Sequence, residues 1–323
     1  MRPPQVRPTF APGLIPLRPL SLGDIFNGAA VYIRANPKAV LGLTTVIVVI
    51  TEIITLLAAT GPLAAAGRLN TASSDELTGS EVGAWLLSSA LSGFVGWLAG
   101  VLLTGMLTVL AGRTIFGSTI SAGETWARVR GRLPALIGLV ALECAGLVLL
   151  AGVVGLIVAA IAASGDAGAT VLLGLPLVLM SVAAVVYLYT ALSFAPVLIV
   201  LERLPVIDSI TRSLALVRNS FWRVLGIRTL AWLVVTFISG AIAVPFDFLG
   251  LLAGGPVLVA AAVAAIGAAI GRIVTAPFSA GVVVLLYTDR RIRSEAFDLV
   301  LQSGAAGPAA GGSTDYLWLT RPV

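Results

Sequence analysis

Histidine is missing from this chain and cysteine occurs once, as Cys144. A metal site built from His and Cys is thereby excluded, as is a disulfide within the chain. The commonest general acid and base of enzyme chemistry is missing too. Charge is scarce: Asp, Glu, Lys and Arg make up 11% of the residues, against about 25% in soluble domains. Hydrophobic residues account for 58%, and mean hydropathy is +1.05. An ordinary water-soluble domain is excluded, and the balance indicates an integral membrane protein. In such a chain the net charge of +5 serves orientation and contact with anionic headgroups. No nucleic-acid partner, no cofactor, no metal and no enzymatic activity are expected.

What is present in quantity is apolar sequence. Runs at about 38–60, 82–112, 134–163, 170–201, 222–248 and 254–288 each meet the roughly 20 residues that cross a bilayer. An all-α fold of six transmembrane helices in three hairpins is predicted. Several runs are longer than a bilayer needs, so tilts, or kinks at Pro176, Pro196, Pro256 or Pro277, are expected. Ahead of the first run stand Pro3, Pro4, Pro8, Pro12, Pro16 and Pro19 in place of a signal-peptide core. Residues 1–20 therefore read as an uncleaved proline-rich arm. Of the 20 lysines and arginines, all but Arg68 and Arg272 fall in the N-terminal segment, the second and fourth connections, or the C-terminal segment. The positive-inside rule makes that side cytoplasmic, with both termini on it.

Short amphipathic stretches precede three of the runs. In the first, Leu22, Ile25, Phe26, Ala29 and Ile33 form a helical stripe behind a capping box of Ser21 and Asp24, and Asn36-Pro37 ends it. The second repeats the design with Ala122, Thr125, Trp126, Val129 and Leu133 behind Ser121 and Glu124. In the third, Pro205 replaces the cap and the stripe is Ile207, Ile210, Leu214 and Val217. Aligning Asp24, Glu124 and Asp208 brings Gly42, Gly138 and Gly226 into correspondence, with the middle copy about one helical turn shorter. Repeats at about 21–112, 121–203 and 205–302 are predicted, each an interfacial helix followed by a hairpin. Residues 287–302 read as a helix continuing past the membrane surface, and 303–323 as a disordered tail.

Glu52, Glu143 and Arg272 are the ionisable residues deep in apolar runs, where such groups are functional candidates by default. Glu52 is 15 residues beyond Pro37 and Arg272 is 15 before Tyr287, so both lie roughly 22 Å from the same boundary. An intramembrane ion pair is predicted for them. It serves as a pin between the first and last spans or as part of a pathway; the alternative is no contact, with each residue snorkelling towards the outer interface. Glu143 is expected to hydrogen-bond inside the bundle, with Cys144 beside it packing as a small hydrophobe. The spacings Gly96 to Gly100 and Gly267 to Gly271 permit close helix approach, within one bundle or between copies. Arg34, Lys38, Arg128, Arg130, Arg132, Arg212, Arg218 and Arg223 are candidate lipid-headgroup contacts.

PGLIPLRPLSLGDIFNGAAVYIRANPKAVLG at 12–42 and YTDRRIRSEAFDLVLQ at 287–302 resemble the two ends of an actinobacterial membrane-protein family. That family is related to the membrane domain attached to some glycerophosphoryl diester phosphodiesterases. The resemblance implies a polytopic helical membrane domain. The hydrolase activity of that group resides in a separate soluble barrel using histidines and metal-binding acids, for which this chain has neither the histidines nor the length. A non-catalytic membrane module organising lipid or a partner protein is expected, with a transporter or permease for a lipid or small amphiphile as the alternative.

Overall fold

Two reciprocal caps start the short helices where the sequence places them. The Asp24 amide donates to Ser21 Oγ (3.1 Å) and the Ser21 amide to Asp24 Oδ2 (2.9 Å), opening α1 (Leu22–Ala35). Ser121 and Glu124 do the same (3.2 and 3.4 Å) for α4 (Ala122–Val129). Between them lie α2 (Pro37–Ala65) and α3 (Gly79–Ile115). After α4, a 3₁₀ turn at Arg130–Arg132 leads into α5 (Leu133–Ala162), followed by the single turn α6 (Ala167–Ala169). The chain continues through α7 (Leu175–Ala191), α8 (Ala195–Leu201), α9 (Val206–Arg218), α10 (Phe221–Leu252) and α11 (Val257–Glu295). These elements belong to a computed structural model that describes residues 19–65, 79–115, 121–165, 167–252, 257–295 and 318. No strand occurs among the described residues. The proline-rich arm up to 18, the polar loop at 66–78, residues 296–302 and all of the tail except Trp318 lie outside them.

Among the described residues, six stretches are long and apolar enough to cross a membrane: Pro37–Gly61, Val82–Gly112, Ala122–Ala162, Thr170–Leu201, Phe221–Leu252 and Leu258–Glu295. None of the most apolar 18-residue window of the third stretch is buried, and only 6% of the fourth and fifth is. Leu156, Leu172, Phe237 and Leu251 are each more than 70% exposed. Apolar surface on that scale has no place in water, and hydrocarbon is the solvent that suits it. The chain is a multi-pass, membrane-embedded helical protein.

Prolines shape the spans unequally. A proline lacks its N–H and its ring collides with the carbonyl four residues back. Pro196 collides with the turn at Leu192, where α7 has stopped, and α8 restarts at Ala195. Pro176 follows a π turn at Thr170–Gly174, which includes Leu172, four residues back. Pro277 and Pro245 sit inside unbroken α11 and α10. Pro256 lies outside the described residues.

The core gathers at the end where the basic residues are. It contains Leu103 to Ala111 of α3, all of α8 except the half-buried Val200, and Ala280 to Leu286 of α11, closed over by Ile25, Ala29 and Tyr32 of α1. The short helices dock in a ring order. Here α4 packs on α3, α9 on α8 and α1 on α11. Tyr32 is central to that last contact. Its ring lies over Gly281, and its hydroxyl donates to the carbonyl of Pro277. Burial holds the phenol above the ordinary tyrosine range, so it remains a neutral donor.

The buried face of α9 differs from the expected stripe. Ser209, Ser213, Leu216 and Val217 are buried, whereas Ile207 is 63% exposed. Small hydroxyls allow close approach to the α7–α8 break, where Ser213 Oγ donates to the Ala191 carbonyl (2.6 Å) and accepts from the Phe194 amide (3.3 Å). The two glycine pairs also part company. Gly267 faces Phe246 and Gly271 faces the backbone of Ser239, both on α10, so this pair serves packing within the bundle. Gly96 and Gly100 have nothing within 4 Å of a Cβ position.

Candidate functional site

The basic end holds two buried charge clusters built on the last turns of α11. Tyr287, Arg291 and Glu295 recur every four residues and share one face. Glu202, just past α8, has a side chain with 0% exposure. It accepts from the Tyr287 hydroxyl (2.5 Å), with Arg212 Nε at 2.6 Å and Arg291 Nη1 at 3.6 Å. The Arg212 contact is a charge contact without hydrogen-bond alignment. Glu295 closes the group, taking Arg212 Nη2 (2.8 Å) and Arg291 Nε (3.0 Å). Two carboxylates thus meet two guanidiniums. Arg291 Nη1 also donates to the carbonyl of Trp318 (3.1 Å), which is 2% exposed rather than free in a disordered tail.

The second cluster ties the start of the chain to its end. Asp289 is fully buried and accepts from the Leu20 amide (2.8 Å) and from Arg293 Nε (2.8 Å), with Arg223 Nη2 at 3.3 Å. The Leu20 carbonyl accepts in turn from Arg223 (2.8 Å) and Arg293 (3.1 Å). The segment expected to project past the membrane surface is therefore, up to Ile292, part of the protein interior. Nothing about single residues announced Glu202 or Asp289. The available signal was the spacing in YTDRRIRSE, which puts Asp289 with Arg293 and Arg291 with Glu295 at i, i+4.

The eight candidate headgroup residues divide accordingly. Arg212 and Arg223 are engaged inward, as above. Arg132 is half-buried and donates to the Arg203 carbonyl (3.3 Å). Arg34, Lys38, Arg128, Arg130 and Arg218 are exposed.

Deeper in the spans, Glu52 of α2 and Arg272 of α11 meet at 2.5 Å between Oε1 and Nη1. Glu52 is 10% exposed at the side chain and Arg272 52%. Glu143 accepts from Trp97 Nε1 (2.8 Å), joining α5 to α3. Arg228 of α10 lies 4.2 Å over the ring of Tyr189 and donates to its carbonyl (2.9 Å), joining α10 to α7. Trp97 and Tyr189 pack edge to face at 6.0 Å, so these four residues link four spans. Cys144 is half-buried. For the Glu52 and Arg272 pair, changing both to Gln is expected to cost less than the two single changes added together. A coupling of about 1 kcal/mol would be read from a double-mutant cycle on unfolding in detergent. Strict additivity would show that the two charges do not support each other.

A cavity of about 240 Å³ opens at the basic end, lined by Arg128, Arg132, Arg203, Leu201 and Trp318 among others. A second, shallower depression lies where the start of α4 meets the α1–α2 junction and includes Lys38. Among the described residues no three acidic or cysteine side chains converge to hold a metal ion. Comparison with protein-family models, with curated proteins and with solved structures gives no significant match to this chain.

Proposed function

We propose that this is a non-catalytic protein of the bacterial plasma membrane, with both termini cytoplasmic, that organises anionic lipid at its cytoplasmic face. One observation carries the reading: at the basic end five of the six described acids are engaged by the protein's own groups and the sixth, Asp208, is exposed, while several cations remain outward. Glu202, Asp289 and Glu295 are taken up by internal guanidiniums, and Asp24 and Glu124 by helix caps. Arg34, Lys38, Arg130 and Arg218 stay exposed. The ring order of α1, α4 and α9 supports a threefold repeat whose interfacial helices lie at headgroup level, where each cation is worth about 1 kcal/mol toward an anionic leaflet. The resemblance of residues 12–42 and 287–302 to a polytopic membrane domain agrees with the architecture alone.

Native mass spectrometry of the detergent-extracted protein tests it. The wild-type protein should carry phosphatidylglycerol in preference to phosphatidylethanolamine. The quadruple variant Arg34→Gln, Lys38→Gln, Arg130→Gln, Arg218→Gln should lose most of that preference. An unchanged lipid profile would refute the reading.

Transport of a lipid or small amphiphile is the second reading, favoured by the exposure of Arg272 at bilayer depth beside Glu52. Movement of a fluorescent lipid across proteoliposomes that stops in Glu52→Gln would establish it.

A further inference from the structure

The cavity beside Trp318 differs from the exposed cations around it, because its wall holds three arginines at once. We infer that it is a binding site for the phosphate group of an anionic ligand, held chiefly by Arg132 and Arg203. This rests on the reading that the basic face meets anionic lipid, and it assigns one discrete site within that face.

Three observations support it. First, Arg128, Arg132 and Arg203 all line the cavity, and none of its described lining residues is acidic. The carboxylate next in the chain, Glu202, is turned into the buried cluster with Tyr287 and Arg212. The Arg203 guanidinium has no hydrogen-bond or ion-pair partner among the described residues, and Arg132 spends one nitrogen on the Arg203 carbonyl. Guanidinium forks pair with phosphate oxygens through charge-assisted hydrogen bonds.

Second, Arg203 is the described non-glycine residue with a left-handed backbone, at φ 57°. That conformation favours glycine and strains an arginine. It follows the end of α8, where the Leu204 amide reaches back to the Leu198 carbonyl (3.5 Å), and this turn leaves the Arg203 side chain exposed at the cavity.

Third, the remaining wall is apolar and firmly held. Val109 and Leu201 are buried, and the ring of Trp318 sits against Gly112, where an added Cβ would lie 3.6 Å from it. The Trp318 carbonyl is anchored by Arg291. A space of about 240 Å³ falls just short of the roughly 300–1,000 Å³ of sites that engulf whole ligands. It accommodates a phosphate headgroup and leaves acyl chains outside.

The test uses the full-length protein in detergent, titrated with phosphatidylglycerol, phosphatidylcholine or inorganic phosphate and read by native mass spectrometry. The wild-type chain should retain one phospholipid at collision energies that strip the rest. Arg132→Gln with Arg203→Gln should lower its occupancy about tenfold or more, the loss of charge-assisted hydrogen bonds. The quadruple surface variant should keep that one lipid while losing the looser ones. Retention by the pocket variant would overturn this inference and leave the surface reading intact. An anionic preference left unchanged in both variants would overturn both. Saturable binding of inorganic phosphate without lipid, abolished in the pocket variant, would support the site with a soluble phosphate compound as its ligand.

Arg203→Gly guards against misfolding. It removes the guanidinium while relaxing the backbone, so it should unfold at the same or a higher temperature yet bind as weakly as the pocket variant. Wild-type binding by Arg203→Gly would sink the proposal.

Discussion

Glu202→Ala is expected to destabilise the protein by about 3–5 kcal/mol, the cost of removing one partner from a buried ionic group. The side chain has no exposed surface and is the common neighbour of Arg212, Arg291 and the Tyr287 hydroxyl. Its loss leaves Glu295 alone against two guanidiniums and strands a buried phenol. Arg291 also anchors the Trp318 carbonyl, so Trp318 should loosen as well. Glu202→Gln keeps an acceptor for Tyr287 but removes the charge, and should fall between the two. Thermal unfolding in detergent measures the loss, and protease cleavage near Trp318 measures the loosening. A wild-type midpoint in Glu202→Ala would mean that the cluster does not form.

Gly281→Val is expected to displace α1 from α11. A Cβ at this position would run into the Tyr32 ring, with Cδ1 at 3.0 Å, and would lie 3.2 Å from the Ala29 Cα. The ring is held by its hydroxyl on Pro277 and by full burial, and the Ala29 contact is backbone, so neither can yield cheaply. Overpacking of this kind costs about 1–3 kcal/mol. Gly96→Val, on a face with nothing within 4 Å, serves as the comparison and should be close to neutral. Equal effects from the two substitutions would contradict the docking of α1 described above.

Much of this architecture is readable from neighbouring residues. Six spans, two capping boxes and the breaks at Pro37 and Pro196 depend on hydropathy, hydroxyl or carboxyl placement and proline geometry within a few positions. Glu52 and Arg272 were also within reach, because counting rise per residue from each boundary sets their depths equal. The α9 face was not legible. Its stripe followed hydrophobicity, while the actual contact at the α7–α8 break selects serines for their size and for Ser213's two hydrogen bonds. The end of α11 was misjudged for a related reason. A run of charges reads as solvated unless its partners are known, and Asp289 finds its partner at Leu20, 269 residues away.

The sequence by itself therefore determined a membrane protein of six helical spans with short amphipathic helices, since those properties are local. Only the tertiary structure decided which cations face outward, because that depends on which acids turn inward to meet the others. It likewise decided that α1 closes on α11, and that Arg203, held left-handed, stands in one cavity wall with Arg132 and Trp318. Contacts between residues 85 or more apart, such as Tyr287 with Glu202, are set by how the helices pack.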